Sequence, residues 1–104
     1  MVRLIWTDEA LDGLNQIAEY IAVSNPQAAK KLVQTVFEKV SRVERFPESG
    51  RVPLELSESR YREVVVSPCR VFYKIDGDQV FVLYVFREER ELKRFLLQTG
   101  ASFD

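Results

Sequence analysis

Three runs rich in β-branched and aromatic residues stand close together in this chain: Tyr61 to Val66, Arg70 to Asp76 and Gln79 to Phe86. Each has the length of an ordinary strand, and turn residues separate them, Ser67-Pro68 first and Asp76-Gly77-Asp78 second. Glycine tolerates the positive φ that a tight hairpin loop requires, so the second break is a strong hairpin signal. Breaks this short leave consecutive strands no route except to fold back on one another. The runs therefore predict an antiparallel three-stranded meander on which the rest of the chain has to pack.

The N-terminal half changes period. Val2 to Trp6 reads as a short strand. Thr7 follows at an N-cap position, with Asp8, Glu9 and Asp12 in the first turns, where carboxylates favour the positive end of a helix dipole. Ala10, Leu11, Leu14, Ile17, Ala18 and Ile21 recur at three- and four-residue spacing, so this helix buries one stripe. Ser24-Asn25-Pro26 breaks it and opens a second helix, with Asn25 as cap and Pro26 in the first turn. The second stripe runs through Ala29, Leu32, Val33, Val36, Phe37, Val40 and Val43 to an end near Phe46-Pro47. The short break makes the two helices a hairpin. Glu48 to Arg60 is a polar loop, and Glu88 to about Gln98 returns to a helical period with Leu92, Phe95 and Leu96 apolar. The prediction is one α+β domain over residues 1–104, ordered β-α-α-β-β-β. A helical hairpin packs on an antiparallel sheet, and a helical segment ends the chain.

Composition narrows the class. A chain of 104 residues with 46% hydrophobic content can build one core without metal or disulfides. No apolar run approaches the ~20 residues of a membrane helix, and the N-terminus has no secretory apolar region. The single Cys69 cannot form an internal disulfide and reads as a small buried or half-buried filler. The absence of His rules out a Cys-His nucleophile. Fifteen Lys and Arg face sixteen Asp and Glu, so any nucleic-acid role has to come from a local patch.

Alternation across the strands sorts the sheet residues into two sets. A tight turn at Gly77 places Val71, Tyr73, Ile75, Val80, Val82 and Tyr84 on the face expected to receive the helices. Arg70, Phe72, Lys74, Phe81, Leu83 and Val85 fall on the other, with Arg87 just beyond. A two-residue turn at Ser67-Pro68 adds Tyr61, Glu63 and Val65 to that second set. An apolar centre ringed by charge is unstable in water, so either the terminal helix folds over it or a partner covers it.

Two phrases carry more than patterning. Phe46-Pro47-Glu48-Ser49-Gly50-Arg51 ends a helical run and presents an arginine after a glycine. Tyr61-Arg62-Glu63-Val64-Val65-Val66-Ser67-Pro68-Cys69-Arg70-Val71-Phe72-Tyr73 is a strand, a turn and a second strand that begins on an arginine. With Trp6 in the first strand and Asn25-Pro26 opening the second helix, their order resembles the ParE/RelE family of small bacterial toxins, from Leu4 to about Leu97. The resemblance implies a cytoplasmic toxin of a type II toxin–antitoxin pair, neutralised by a cognate antitoxin (ParD-like or other) whose C-terminal segment wraps it. No cofactor or metal is implied.

The family has two branches with different needs. RelE-like members cleave messenger RNA on the ribosome, which wants a base for the 2′-hydroxyl and cations around the phosphate. ParE-like members poison DNA gyrase. Counted from Arg70 without gaps, the RelE lysines fall on Tyr61 and Glu63, its later arginine on Glu88 and its C-terminal tyrosine on Arg94. Arg70 alone of the five is kept, which points to the ParE branch. Glu63 as base and Arg70 as phosphate clamp is the nuclease alternative, and an ordinary surface ion pair is the plainer reading of the same two residues. Glu88, Glu89 and Glu91 read as first-turn carboxylates rather than metal ligands, and they interleave with Arg87, Arg90, Lys93 and Arg94 as a solvated face does. The expected protein is a gyrase inhibitor that acts by binding, with Arg51, Arg60, Arg70, Arg87 and Arg90 toward its target. Phe72, Phe81 and Leu83 are expected under the antitoxin. No membrane and no sequence-specific DNA contact by this chain alone are expected. A degenerate, non-toxic member that only binds its antitoxin is a further alternative.

Overall fold

The computed structural model describes residues 1–54 and 60–89. Its elements are β1 (Arg3–Trp6), α1 (Asp8–Ala22), α2 (Pro26–Ser41), two 3-10 turns (Arg42–Glu44 and Pro47–Ser49), β2 (Tyr61–Val66), β3 (Cys69–Asp76) and β4 (Gln79–Arg87). Both predicted caps form. The Ala10 amide donates to Thr7 Oγ1 at 3.2 Å, and the Ala28 amide donates to Asn25 Oδ1 at 3.1 Å. The second helix ends at Ser41 rather than beyond Val43, which is buried in the first 3-10 turn. Glu88 and Glu89 lie in a turn after β4, and the rest of the predicted C-terminal helix lies outside the described residues. No helix among the described residues is long and apolar enough to cross a membrane.

The four strands lie in the order β1-β4-β3-β2. The meander is antiparallel as expected, with Val66 opposite Cys69 across the Ser67-Pro68 turn and Asp76 opposite Gln79 across Gly77-Asp78. Gly77 takes a φ of +61°, the conformation that favours glycine there. The sheet as a whole is mixed, because β1 pairs in parallel with β4. That pairing is open to it because α1, α2 and the meander supply a long crossover between the two strands.

One irregularity reassigns the faces. Phe72 pairs with Tyr84 but Tyr73 pairs with Val82, so Leu83 is an extra residue in β4. Beyond such a bulge every side chain changes sides. Val85 therefore joins the core under the helices, and Tyr84 moves to the opposite face beside Phe72, the reverse of the alternation predicted for both. Thr7 holds the bulge in place. Its Oγ1 donates to the carbonyls of Val82, at 2.7 Å, and Leu83, at 3.1 Å, while its amide donates to Val82 at 3.1 Å. The α1 backbone comes so close to β4 at this point that a Cβ on Gly13 would lie 2.3 Å from the Val85 carbonyl oxygen.

The main core lies between the helical hairpin and the sheet. Leu14, Ile17, Leu32, Val36 and Val40 meet Val71, Tyr73, Val80, Val82 and Val85 there, with Cys69 fully buried among them as the filler expected. Trp6 closes the open end of the hairpin with its ring 4.7 Å from Phe37. The opposite face carries a second cluster of Tyr61, Phe72 and Phe86, with Leu83 and Tyr84 packed against it.

Candidate functional site

The turn that follows α2 is tied to the sheet from beneath. Tyr73 projects from β3 through the core, and its hydroxyl donates to the Pro47 carbonyl at 2.6 Å and accepts from the Gly50 amide at 3.0 Å. Burial pushes the Tyr73 phenol above its ordinary value, so the hydroxyl keeps the proton it donates. Arg62, on the same face of β2, donates from Nη1 to the carbonyls of Glu48 and Gly50, each at 3.0 Å. Gly50 itself has an ordinary φ of −71°, so conformation does not require glycine here. Space does: a Cβ would lie 2.5 Å from the Tyr73 hydroxyl and 2.8 Å from the Glu63 carbonyl.

This anchoring delivers Arg51 to the free edge of β2. The Arg51 amide donates to the Glu63 carbonyl at 3.0 Å, and the Glu63 amide donates to the Arg51 carbonyl at 2.8 Å. The side chains then meet above the same bridge. Arg51 Nε donates to Glu63 Oε1 at 2.6 Å, and from β3 Arg70 donates to Oε2 through Nε at 2.8 Å and Nη2 at 2.5 Å. Arg70 is diagonal to Glu63 across the strand pair, because Val65 is its direct partner. The predicted pairing of Glu63 with Arg70 is real, but it is not a surface pair. Glu63 is 2% exposed and Arg70 7%. Desolvating two charges is tolerable only when their hydrogen bonds are filled, and a second guanidinium on Glu63 does that.

The exposed member of the trio is Arg51, whose side chain is 64% accessible. Its terminal nitrogens make no hydrogen bond to any described residue and border a pocket of about 160 Å³. Leu54, Glu63, Val65, Arg70 and Glu88 complete that pocket, and Glu88 also accepts from Ser67 Oγ at 2.6 Å. Of the two carboxylates that line it, Glu63 has both oxygens held by arginines, and Glu88 is exposed with one oxygen on Ser67.

The remaining predicted residues are not gathered into this site. Arg87 belongs to the helix side of the sheet, where it lies 5.7 Å from the Tyr20 ring and donates to Glu89 Oε1 at 2.6 Å. That hydrogen bond raises its already high pKa. Arg60 and Lys74 sit at the far end of β2, 5.3 and 5.9 Å from the Tyr61 ring. Arg90 lies outside the described residues. Phe72 is fully enclosed, stacked between Tyr61 at 5.7 Å and Tyr84 at 6.4 Å, whereas Phe81 and Leu83 are half-buried. Cys69 is no nucleophile: burial pushes its thiol up to about 11, outweighing the neighbouring Arg87. Alternation places Tyr73 in the core but does not mark its hydroxyl as an anchor, and nothing in the sequence marks Gly13. Neither stands out from ordinary core and helix residues until the backbone it approaches is known.

Known proteins agree with this architecture. The family of ParE toxins of type II toxin–antitoxin systems, parDE, matches residues 4–92. Toxin RelE2 of Caulobacter vibrioides is 33% identical over 79 residues, which cover 74% of this chain and 85% of that protein. Y4kP of Sinorhizobium fredii is 30% identical over 94 residues, 90% of this chain and 96% of its own length. Among solved structures, a chain of the chromosomal ParDE system from P. aeruginosa has the same fold, with a TM-score of 0.72 at 24% identity over 86% of this chain and 98% of that one. With the family matched from the first strand to beyond the last, this chain belongs to the ParE toxins of type II toxin–antitoxin systems.

Proposed function

We propose that this toxin acts by binding DNA gyrase, so that the enzyme's cleaved-DNA intermediate persists, and that a cognate ParD-like antitoxin neutralises it. The observation that supports binding over a reaction of its own is the state of Glu63, which is buried with both oxygens held by Arg51 and Arg70. With no His in the chain, the carboxylates lining this pocket are Glu63, whose release would break a buried ion pair, and Glu88, which accepts from Ser67 Oγ. Arg51 is the most accessible of the target-contacting arginines at this site, and Arg70 serves by fixing the carboxylate that orients it. Arg60, Arg87 and Arg90 would contribute separate contacts. Of the antitoxin-facing residues, the half-buried Phe81 and Leu83 offer surface, and the enclosed Phe72 stiffens the sheet beneath them. The test is to incubate antitoxin-free protein with gyrase and supercoiled plasmid and to measure protein-linked cleaved DNA. Accumulation is expected, and its absence with folded protein overturns the reading.

A ribosome-dependent messenger RNA endonuclease is the second reading. It is favoured by the pocket that Arg51, Glu63 and Arg70 share, and by the kinship with a protein named toxin RelE2. Primer extension on translated messenger RNA separates the two. Cuts that vanish in a folded Arg70→Ala variant would establish the nuclease.

A further inference from the structure

The near-neutral total charge conceals a polarised helical hairpin. α1 carries Asp8, Glu9, Asp12 and Glu19 and no Lys or Arg, whereas from Pro26 to Leu54 six Lys and Arg face only Glu38, Glu44 and Glu48. Lys31, Lys39 and Arg42 follow one another at i, i+8 and i+11, which sets them within about 80° of the helix surface. Arg45 and Arg51 extend the series along the connection to the β2 edge, and all five are exposed. α2 packs on the β2 side of the molecule and α1 on the β4 side.

Basic side chains are commonly neutralised by neighbouring carboxylates, as Arg87 at the end of β4 is by Glu89. This run is not. Lys31, Lys39, Arg42 and Arg45 form no ion pair with any described residue, although Glu38 and Glu44 are close in sequence. Along α2 the side chains beside the cations are Ala28, Thr35 and Glu38, so this stretch lacks the large apolar anchors on which protein interfaces depend, and Phe46 and Leu54 are exposed only at its far end. A row of about 16 Å from Lys31 to Arg42, longer with Arg45, is long enough to lie along several phosphates, which are spaced at about 3.4 Å of axis per strand. We propose that the α2 flank grips the phosphate backbone of duplex DNA without reading its sequence. This rests on the gyrase reading for its setting, since it gives the toxin a hold of its own on the DNA that gyrase has engaged.

The experiment is fluorescence anisotropy of a short labelled duplex with the full chain and no gyrase, between about 50 and 200 mM salt. Contact with about four phosphates predicts a slope of log affinity on log salt of roughly −3.6, a loss of about 100-fold over that range. The double variant K39Q/R42Q, with an unchanged melting temperature, is expected to reduce the slope by about two. No duplex binding at about 50 mM salt, an unchanged slope in the variant, or tighter binding to an RNA of equal charge each overturns the inference. Duplex binding together with no gyrase-linked cleavage would keep this surface and remove the gyrase reading instead.

Discussion

At Glu63 a carboxylate is withdrawn from water on the side of the sheet away from the helices, and two arginines of very different accessibility share it. Removing Glu63 leaves the buried Arg70 charge unpaired, whereas removing Arg51 leaves one Glu63 oxygen without its partner and keeps the buried pair. Glu63→Ala is therefore expected to destabilise the fold by about 3–5 kcal/mol, and Arg51→Ala by about 1–2 kcal/mol. Urea denaturation checks both, and equal losses would contradict the division of burial. The same contrast makes Arg51→Ala the useful functional variant, because it removes the accessible guanidinium while keeping the scaffold. Cys69 supplies a pH test. Its folded pKa of about 11 stands above the ordinary 9.0, so the unfolded chain releases this proton first as the pH rises. Stability from this group is intact below about pH 9 and declines toward pH 11, by at most about 2–3 kcal/mol. Cys69→Ala should remove that part of the decline. The buried Tyr73 phenol, raised from its ordinary 10.0 by burial, should leave a residual fall that begins near that ordinary value.

At the scale of elements, α1 docks on β4 through three features that depend on one another. The bulge at Leu83 turns carbonyls toward the start of the helix, Thr7 collects two of them while capping α1, and Gly13 lets the backbones close together. Gly13→Ala sets a methyl against backbone, which cannot rotate away, so a loss of about 1–3 kcal/mol is expected. Thr7→Ala removes the cap and the clasp on the bulge, with a loss of about 1–2 kcal/mol. Because both act on one junction, the double variant should cost less than the sum of the singles. Additive losses in thermal or urea melts would mean that the two positions are independent. The turn from Pro47 to Gly50 is the second such junction, and Tyr73→Phe should loosen it without opening a cavity. Faster amide exchange confined to residues 47–51 is the expected sign.

At the scale of the whole molecule, β1 closes the sheet on a strand more than seventy residues later in the chain, and Trp6 seals the helical hairpin beside it. Removing residues 1–6 exposes the β4 edge and one side of the core together, so the truncated chain should lose its cooperative melt. A sharp transition retained in circular dichroism would show that β1 is dispensable. Period and turn chemistry made most of the fold legible in advance. Both caps, the hairpin at Gly77, the pairing across Ser67-Pro68 and the placing of Tyr61, Glu63 and Val65 on one face all follow from local rules, which need only neighbours in the chain. Glu63 and Arg70 could be brought together by alternation for the same reason. Their burial could not, because it depends on Arg51 arriving from a separate segment and on the enclosure of the face. The bulge at Leu83 was equally hidden, since nothing in Val-Phe-Val-Leu-Tyr-Val-Phe interrupts the strand pattern. The extra residue has a place only once Thr7 and α1 lie against those carbonyls, and it is this long-range contact that sends Val85 to the core and Tyr84 to the opposite face.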